Sequence, residues 1–265
     1  MIIIGEKING AIPSVKKAIE ERNGDFIKSI AKAQAEAGAD FIDCAPSTQV
    51  DKEYDAMVWL IGLIQEVTDV PVCIDSPNVL LLKRIFEEGH VKHPGMINSV
   101  NEEGMKCEII FPLIAGTDWQ IIGLTCDKDG IPMDSDKKID IAKSIINKAH
   151  KYGVKLSNLH IDPCVMALAA VPDSMTDFEK CIIKIHEYAT EVKVTGAISN
   201  ISFQMPRRKY INVSCMSLAV HAGLNSAILN PCDQDMAAAI YAAEALCEVD
   251  KGGRKYNRAH RKGVF

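Results

Sequence analysis

No two of the nine cysteines lie close enough to form a Cys-x-x-Cys claw; the nearest pair, Cys232 and Cys247, is 15 positions apart. That removes the commonest structural zinc frameworks. Their odd number, and apolar neighbours such as Val72 and Ile74 around Cys73, predict reduced thiols serving as small core residues. Long hydrophobic runs are also missing. None exceeds Met236–Ala243, far short of the roughly 20 residues that span a bilayer. At the N-terminus, Met1-Ile2-Ile3-Ile4-Gly5 meets Glu6 and Lys7 before a signal-peptide core can form, so a soluble, cytoplasmic protein with no membrane partner is expected. Aromatics make up only 6%, and with Trp59 and Trp119 as the only tryptophans there is little material for sugar-stacking platforms. An excess of positive charge is absent too: 30 Lys+Arg against 35 Asp+Glu give a net charge of −5, which argues against nucleic acid as a partner. Finally, Gly5-Glu6-Lys7-Ile8-Asn9-Gly10 is not the G-x-G-x-x-G loop of a dinucleotide-binding open sheet.

What is present is a rhythm. Eight short apolar runs occur at Ile2–Ile8, Ala39–Cys44, Pro71–Asp75, Met96–Val100, Gln120–Cys126, Leu159–Asp162, Lys193–Ser199 and Ser226–Leu229. Each is bounded by polar or turn residues, as buried parallel strands are. Their spacing averages about 32 residues, the length of one strand–loop–helix unit. Helical stripes fill the gaps. Lys52–Val67 repeats apolar residues near a period of 3.6, Asp134–Tyr152 opens on Asp-Ser-Asp, and Asp233–Val249 begins with acids and runs Ala-rich. The pattern predicts an α/β chain forming a single (β/α)8 TIM barrel across residues 1–265. The last 15 residues, 251–265, hold six Lys/Arg and no acid, and read as a frayed, basic, solubilising tail.

In such a barrel the site lies at the C-terminal ends of the strands. Those ends supply Asn9, Asp43, Asp75, Asn98, Asp127, Asp162, Asn200 and Asn230. Taken singly, each is what a loop start or helix cap also uses. As a ring, acids and amides suit a flat heteroaromatic with an edge of N–H donors and C=O acceptors, such as a pterin. Converging oxygens also suit a divalent cation, but no accompanying ligand spacing is found and no bound metal is expected. His160 is expected to point away from Asp162 into packing. Lys7, beside the charged Glu6, lacks the desolvated pocket a Schiff-base lysine needs.

A family resemblance rests on eight segments in order: Gly5-Glu6-Lys7-Ile8-Asn9, Phe41-Ile42-Asp43, Cys73-Ile74-Asp75-Ser76, Met96-Ile97-Asn98-Ser99, Gly123-Leu124-Thr125, Gly130-Ile131-Pro132, Ile161-Asp162-Pro163 and Ser199-Asn200-Ile201-Ser202. Together they resemble the pterin-binding methyltransferases, which move methyl groups between tetrahydrofolate and corrinoid proteins. The stand-alone enzymes of glycine betaine-type demethylation resemble the chain most. The resemblance implies that Asp75, Asn98 and Asp162 read the pterin edge, with Asp43, Asn9 and Ser202 supporting the pocket, and that Asn200 is the catalytic side chain. It further implies tetrahydrofolate or 5-methyltetrahydrofolate as substrate, cobalamin carried by a separate corrinoid protein, and a homodimer. Gln204, Arg207 and Arg208 are then candidates for contact with the folate tail or the corrinoid. The preferred direction is from methylcorrinoid to tetrahydrofolate.

Two departures stand out: Cys44-Ala45-Pro46 follows Asp43 where relatives have an asparagine two residues on, and Gln204 stands where they often have glycine. The alternatives are a dihydropteroate synthase-like enzyme, whose lysine and arginine anion set is not evident after Ser199-Asn200-Ile201-Ser202-Phe203, and a non-catalytic folate-binding protein. The Asp-x-His-x-x-Gly motif of corrinoid carriers is absent.

Overall fold

The computed structural model describes residues 1–265. Eight strands carry the architecture: β1 (Ile2–Asn9), β2 (Phe41–Ala45), β3 (Val72–Asp75), β4 (Met96–Glu102), β5 (Gln120–Asp127), β6 (Leu159–Asp162), β7 (Lys193–Val194) and β8 (Ser226–Leu229). Ten helices accompany them: α1 (Pro13–Glu20), α2 (Gly24–Glu36), α3 (Val50–Val67), α4 (Val79–Glu87), α5 (Lys106–Ile114), α6 (Ser135–Tyr152), α7 (Ser174–Tyr188), α8 (Arg208–Ala222), α9 (Gln234–Leu246) and α10 (Arg254–Arg261). All strand pairings are parallel, in the order β7-β6-β5-β4-β3-β2-β1-β8. A parallel bridge between Ala197 and Ile228, with Ile228 N–H on Gly196 O at 3.0 Å, joins the two ends. The fold is the expected TIM barrel.

Two layers of burial explain why the strands read as continuous apolar runs. One set of side chains, including Ile42, Ile74, Ile97, Ile121 and Ile161, packs outward against the helices, while Ile4, Phe41, Cys73, Met96 and Ile122 fill the barrel itself. Helix starts follow local chemistry: Asn78, Asp134 and Asp233 cap α4, α6 and α9 through side-chain oxygens on backbone N–H groups. Seven of the nine cysteines are buried and all are free, as their apolar neighbours predicted. No helix is long and apolar enough to cross a membrane.

Three expectations need correction. The run Lys193–Ser199 forms a strand only over Lys193–Val194 and becomes a 3-10 turn at Ile198–Ser202. Between them Gly196 passes so close to Phe178 that a Cβ would sit 2.9 Å from its ring, and Gly196 and Ala197 keep only isolated bonds to Ile228 of β8. His160 does not point away from Asp162: two residues apart on one strand, both face the barrel interior, beside inward Ile122 and Leu124 of β5. The basic tail is not frayed. Asp250 accepts from the N–H groups of Lys255 and Tyr256, α10 buries Ala259, and Phe265 packs against Tyr241 and Tyr256.

Candidate active site

The strand ends open into a cleft of about 660 Å³ at the C-terminal face of the barrel. Its lining includes Asn9, Asp43, Asp75, Asn98, Asn200 and Arg208. These belong to β1, β2, β3, β4, the turn after β7 and the start of α8, so distant parts of the chain converge, while Asp127, Asp162 and Asn230 of the expected ring lie outside the lining. The β1 and β2 ends meet closely: Gly10 N–H donates to Ala45 O at 2.8 Å, and a Cβ on Gly10 would lie 1.9 Å from Pro46 O. Asn9 Oδ1 is used locally, accepting from Ala11 N–H at 2.8 Å and from the Ser47 hydroxyl at 3.3 Å. It is therefore both loop cap and cleft residue.

The carboxylates are the unusual feature. Asp43 is buried, and Asn98 Nδ2 donates to its Oδ1 at 3.3 Å. Burial pushes its carboxyl up to about 6, against the lowering effect of hydrogen bonds with Cys73, Asn98 and Asp75. Asp75, next to Asn98 in the β3–β4 register, is raised well above the usual range by burial and by the neighbouring charges of Asp43 and Glu53. The facing pair therefore retains a proton above the ordinary carboxylate range. Asp162, from β6, is buried and accepts from Cys164 N–H at 2.7 Å through Oδ1. Burial raises it to about 6 despite that bond and the nearby Lys138 ammonium, which itself donates to Cys164 O at 3.0 Å.

Asn200 sits on the 3-10 turn with its side chain exposed toward the cleft, making no hydrogen bond to the protein. Ser202, two residues on, is fully buried and contributes beneath the turn rather than to the lining. Gln204 and Arg207 are exposed outside the cleft lining. Both have left-handed backbones, with φ of 64° and 51°. At Gln204 a glycine would take up that φ without the Cβ crowding a glutamine meets. Two other strand-end residues play local roles. Asp127 pairs with Lys137 at 3.1 Å, and Asn230 Oδ1 accepts from Cys232 N–H at 3.2 Å.

Sequence reasoning passed over two lining residues. Glu6 faces the cleft from β1, and burial raises its carboxyl above the usual range, opposed by the charge of Lys7. Its signal was available: Ile2 and Ile4 point inward, and the period of two brings position 6 to the same side. Asn212, one turn into α8, brings a buried Oδ1 without a protein partner. Nothing in its local sequence marks it.

The pterin-binding enzyme family matches residues 13–230. The chain belongs to that family. Over 265 residues it is 43% identical to the methylcorrinoid:tetrahydrofolate methyltransferase of Eubacterium limosum, covering 99% of this chain and 97% of that protein. It is 30% identical over 183 residues to methionine synthase of Mycobacterium leprae, covering 64% of this chain and 15% of that much longer protein. Among solved structures, dihydropteroate synthase of Xanthomonas albilineans with 4-aminobenzoic acid superposes with a TM-score of 0.68 at 18% identity, over 95% of this chain and 93% of that one. Dihydropteroate synthase of Yersinia pestis with a pterin-sulfa conjugate gives a TM-score of 0.65 at 16% identity, over 93% and 94%. These two likenesses show the fold.

Proposed function

We propose that this enzyme is a methyltransferase that moves a methyl group from a methylcorrinoid protein to N5 of tetrahydrofolate, giving 5-methyltetrahydrofolate. The observation that carries the reading is Asp75 and Asn98 side by side in the lining of the cleft, with Asp162, buried on β6 outside that lining, keeping one carboxylate oxygen free of protein hydrogen bonds. A pterin offers a 2-amino group and N3–H as parallel donors, and a carbonyl and ring nitrogens that an amide can complement. Asp162, held by Cys164 N–H through one oxygen, keeps its other oxygen for such donors. Asp75 and Asn98 stand side by side for the remaining edge, with Asp43 behind them.

Three rigid strands thus fix the ring plane, and positioning of this kind is the main contribution a protein makes to an in-line transfer. The corrinoid supplies a carbon–cobalt bond whose methyl group leaves without its electron pair. N5 must present its lone pair and afterwards lose its proton. Asn200 is suited to this change, because an amide can accept through Oδ1 or donate through Nδ2 by rotating, and it is neutral in both states. A carboxylate at that position could only accept once ionised.

A separate corrinoid protein is supported by the rim. Val50, Leu80, Met105, Ile131, Met133 and Phe203 project from the starts of α3, α4 and α5 and from the β5–α6 and β7–α8 loops. All are exposed, by 44–79%. Apolar side chains distributed around a catalytic mouth suit a large partner that docks and leaves. Gln204 and Arg207 are exposed on the same loop as Phe203.

Anaerobic calorimetry with tetrahydrofolate tests the reading without the partner. Micromolar-range binding by the wild type, weakened by about 1–3 kcal/mol in Asp162→Ala, is expected. Absence of binding, with no competition by 5-methyltetrahydrofolate, overturns it.

A further inference from the structure

Arg208 was expected to meet the folate tail or the corrinoid, but the structure gives its guanidinium other work. Its Nε donates to Ser202 Oγ at 2.9 Å and its Nη2 to Ser199 O at 2.7 Å. Ser202 Oγ in turn donates to Ser199 O at 3.3 Å, closing a three-membered ring of polar contacts. That ring clasps the 3-10 turn from both sides of Asn200. Backbone bonds also hold the turn at its two ends, with Asn200 N–H donating to Ala197 O and Phe203 N–H to Asn200 O, both at 3.1 Å. On its far side, Leu168 N–H donates to Ile201 O at 3.0 Å. The turn is therefore tied to the β6–α7 loop below and to Arg208 above, while the Asn200 side chain has no tie of its own.

We propose that Arg208 is a positioning residue for methyl transfer, holding the turn so that Asn200 is aimed at N5, rather than an anion hook for the substrate. The inference rests on the methyltransferase reading of the cleft. The fork of a guanidinium reaches two acceptors in fixed geometry, which an ammonium on a flexible stem cannot reproduce. The cost of losing it falls on orientation, because Asp75, Asn98 and Asp162 are carried by strands that Arg208 does not touch.

The test uses Arg208→Ala, Arg208→Lys and Asn200→Ala, singly and with Arg208→Ala combined with Asn200→Ala. Methyl transfer from methylcobalamin to tetrahydrofolate is followed anaerobically in single turnover. In that reaction the cobalt–carbon bond breaks with its electron pair kept by cobalt, the N5–CH3 bond forms, and the N5 proton passes to water. Arg208→Ala is expected to slow transfer by about tenfold or more while the Kd for tetrahydrofolate stays within about threefold, with Arg208→Lys intermediate. In the Asn200→Ala background the same substitution is expected to have no further effect, a non-additivity that a merely structural or tail-binding arginine would not show. Wild-type transfer rates in Arg208→Ala overturn the proposal, as does a loss of affinity matching the loss of rate, or full additivity in the double variant. Wild-type protein that neither binds tetrahydrofolate nor transfers a methyl group overturns the functional reading, and the proposal with it.

Discussion

Two buried polar groups on β6, His160 and Asp162, lie two residues apart and face the same barrel interior, yet their surroundings are opposite. His160, near the floor, is completely buried and fully paired. Gln120 Oε1 lies 2.6 Å from Nε2 and Ser226 Oγ lies 2.8 Å from Nδ1. With the Gln120 amide oxygen accepting from Nε2–H, Nδ1 is left as an acceptor beside the Ser226 hydroxyl, which also lies 3.2 Å from Thr195 Oγ1. Burial and the nearby Lys193 charge lower the imidazole to about 3, so it stays neutral. Asp162, one layer higher, has a single backbone donor and a carboxyl raised to about 6. A buried polar group whose partners are all supplied by the protein is part of the architecture. One with unused lone pairs at an opening is held ready for something else.

The sharpest break of this contrast is His160→Ala. It removes both of the ring's hydrogen bonds, strands Gln120 and Ser226, and opens a cavity, so unfolding stability is expected to fall by about 2–4 kcal/mol in urea titration. Tetrahydrofolate affinity of the folded fraction is expected to change little. Asp162→Ala should do the reverse, losing affinity with stability nearly intact; a variant that loses both in proportion would erase the distinction between the two layers. Asn200→Ala is expected to keep affinity within a few-fold but to cut the single-turnover rate by about 10–100-fold.

Opposite pH dependences follow from the two shifts. Neutral His160 contributes stability that is complete above about 6.5, the ordinary imidazole value, and is lost as pH falls toward 3. Asp162 is raised, so its folded form holds the proton more tightly than the unfolded chain. Its contribution is complete below about 4 and is lost as pH rises to about 6. The stability difference between wild type and Asp162→Asn, measured by urea titration from pH 4 to 7, should therefore slope in the direction set by the raised carboxyl. Ligand binding runs the other way. Because pterin donors need the ionised carboxylate, tetrahydrofolate affinity should rise with pH up to about 6 and level off above it. A pH-independent Kd between 4.5 and 7 would remove Asp162 from the pterin edge. The smallest effect is expected at the rim: Gln204→Gly should relieve the left-handed backbone and raise stability slightly, by about 0.5–1 kcal/mol.

Much of the fold is legible in the sequence alone. Strand starts such as Leu159 and Ser226 and strand ends such as Asp75 and Asp162 fell where the apolar runs placed them. What failed had local causes. The run after Lys193 keeps an apolar composition, but its regular pairing stops at Val194; Thr195, Gly196 and Ala197 hold only isolated bonds to β6 and β8 before the chain enters the 3-10 turn. The tail looked frayed because its charge is real, but Ala259, Val264 and Phe265 find apolar surface on α9 that no window of 15 residues reveals. The expectation that His160 points away from Asp162 fails because residues two apart on a strand share one face, here the barrel interior.

By itself the sequence determined the alternation of eight strands and helices, because apolar periodicity and capping residues are local properties of a chain. It also picked out acids and amides near the strand ends, although β2 and β4 run on past Asp43 and Asn98, and Asn200 lies on the turn after β7. Only the tertiary structure decided which of them act together. Asp127 and Asn230 turned to local partners, Glu6 and Asn212 joined the cleft, and Arg208 bent back onto Ser199 and Ser202. Those outcomes depend on barrel closure, which sets residues from β1 and the β7–α8 segment side by side and excludes water from carboxylates that an open chain would leave solvated.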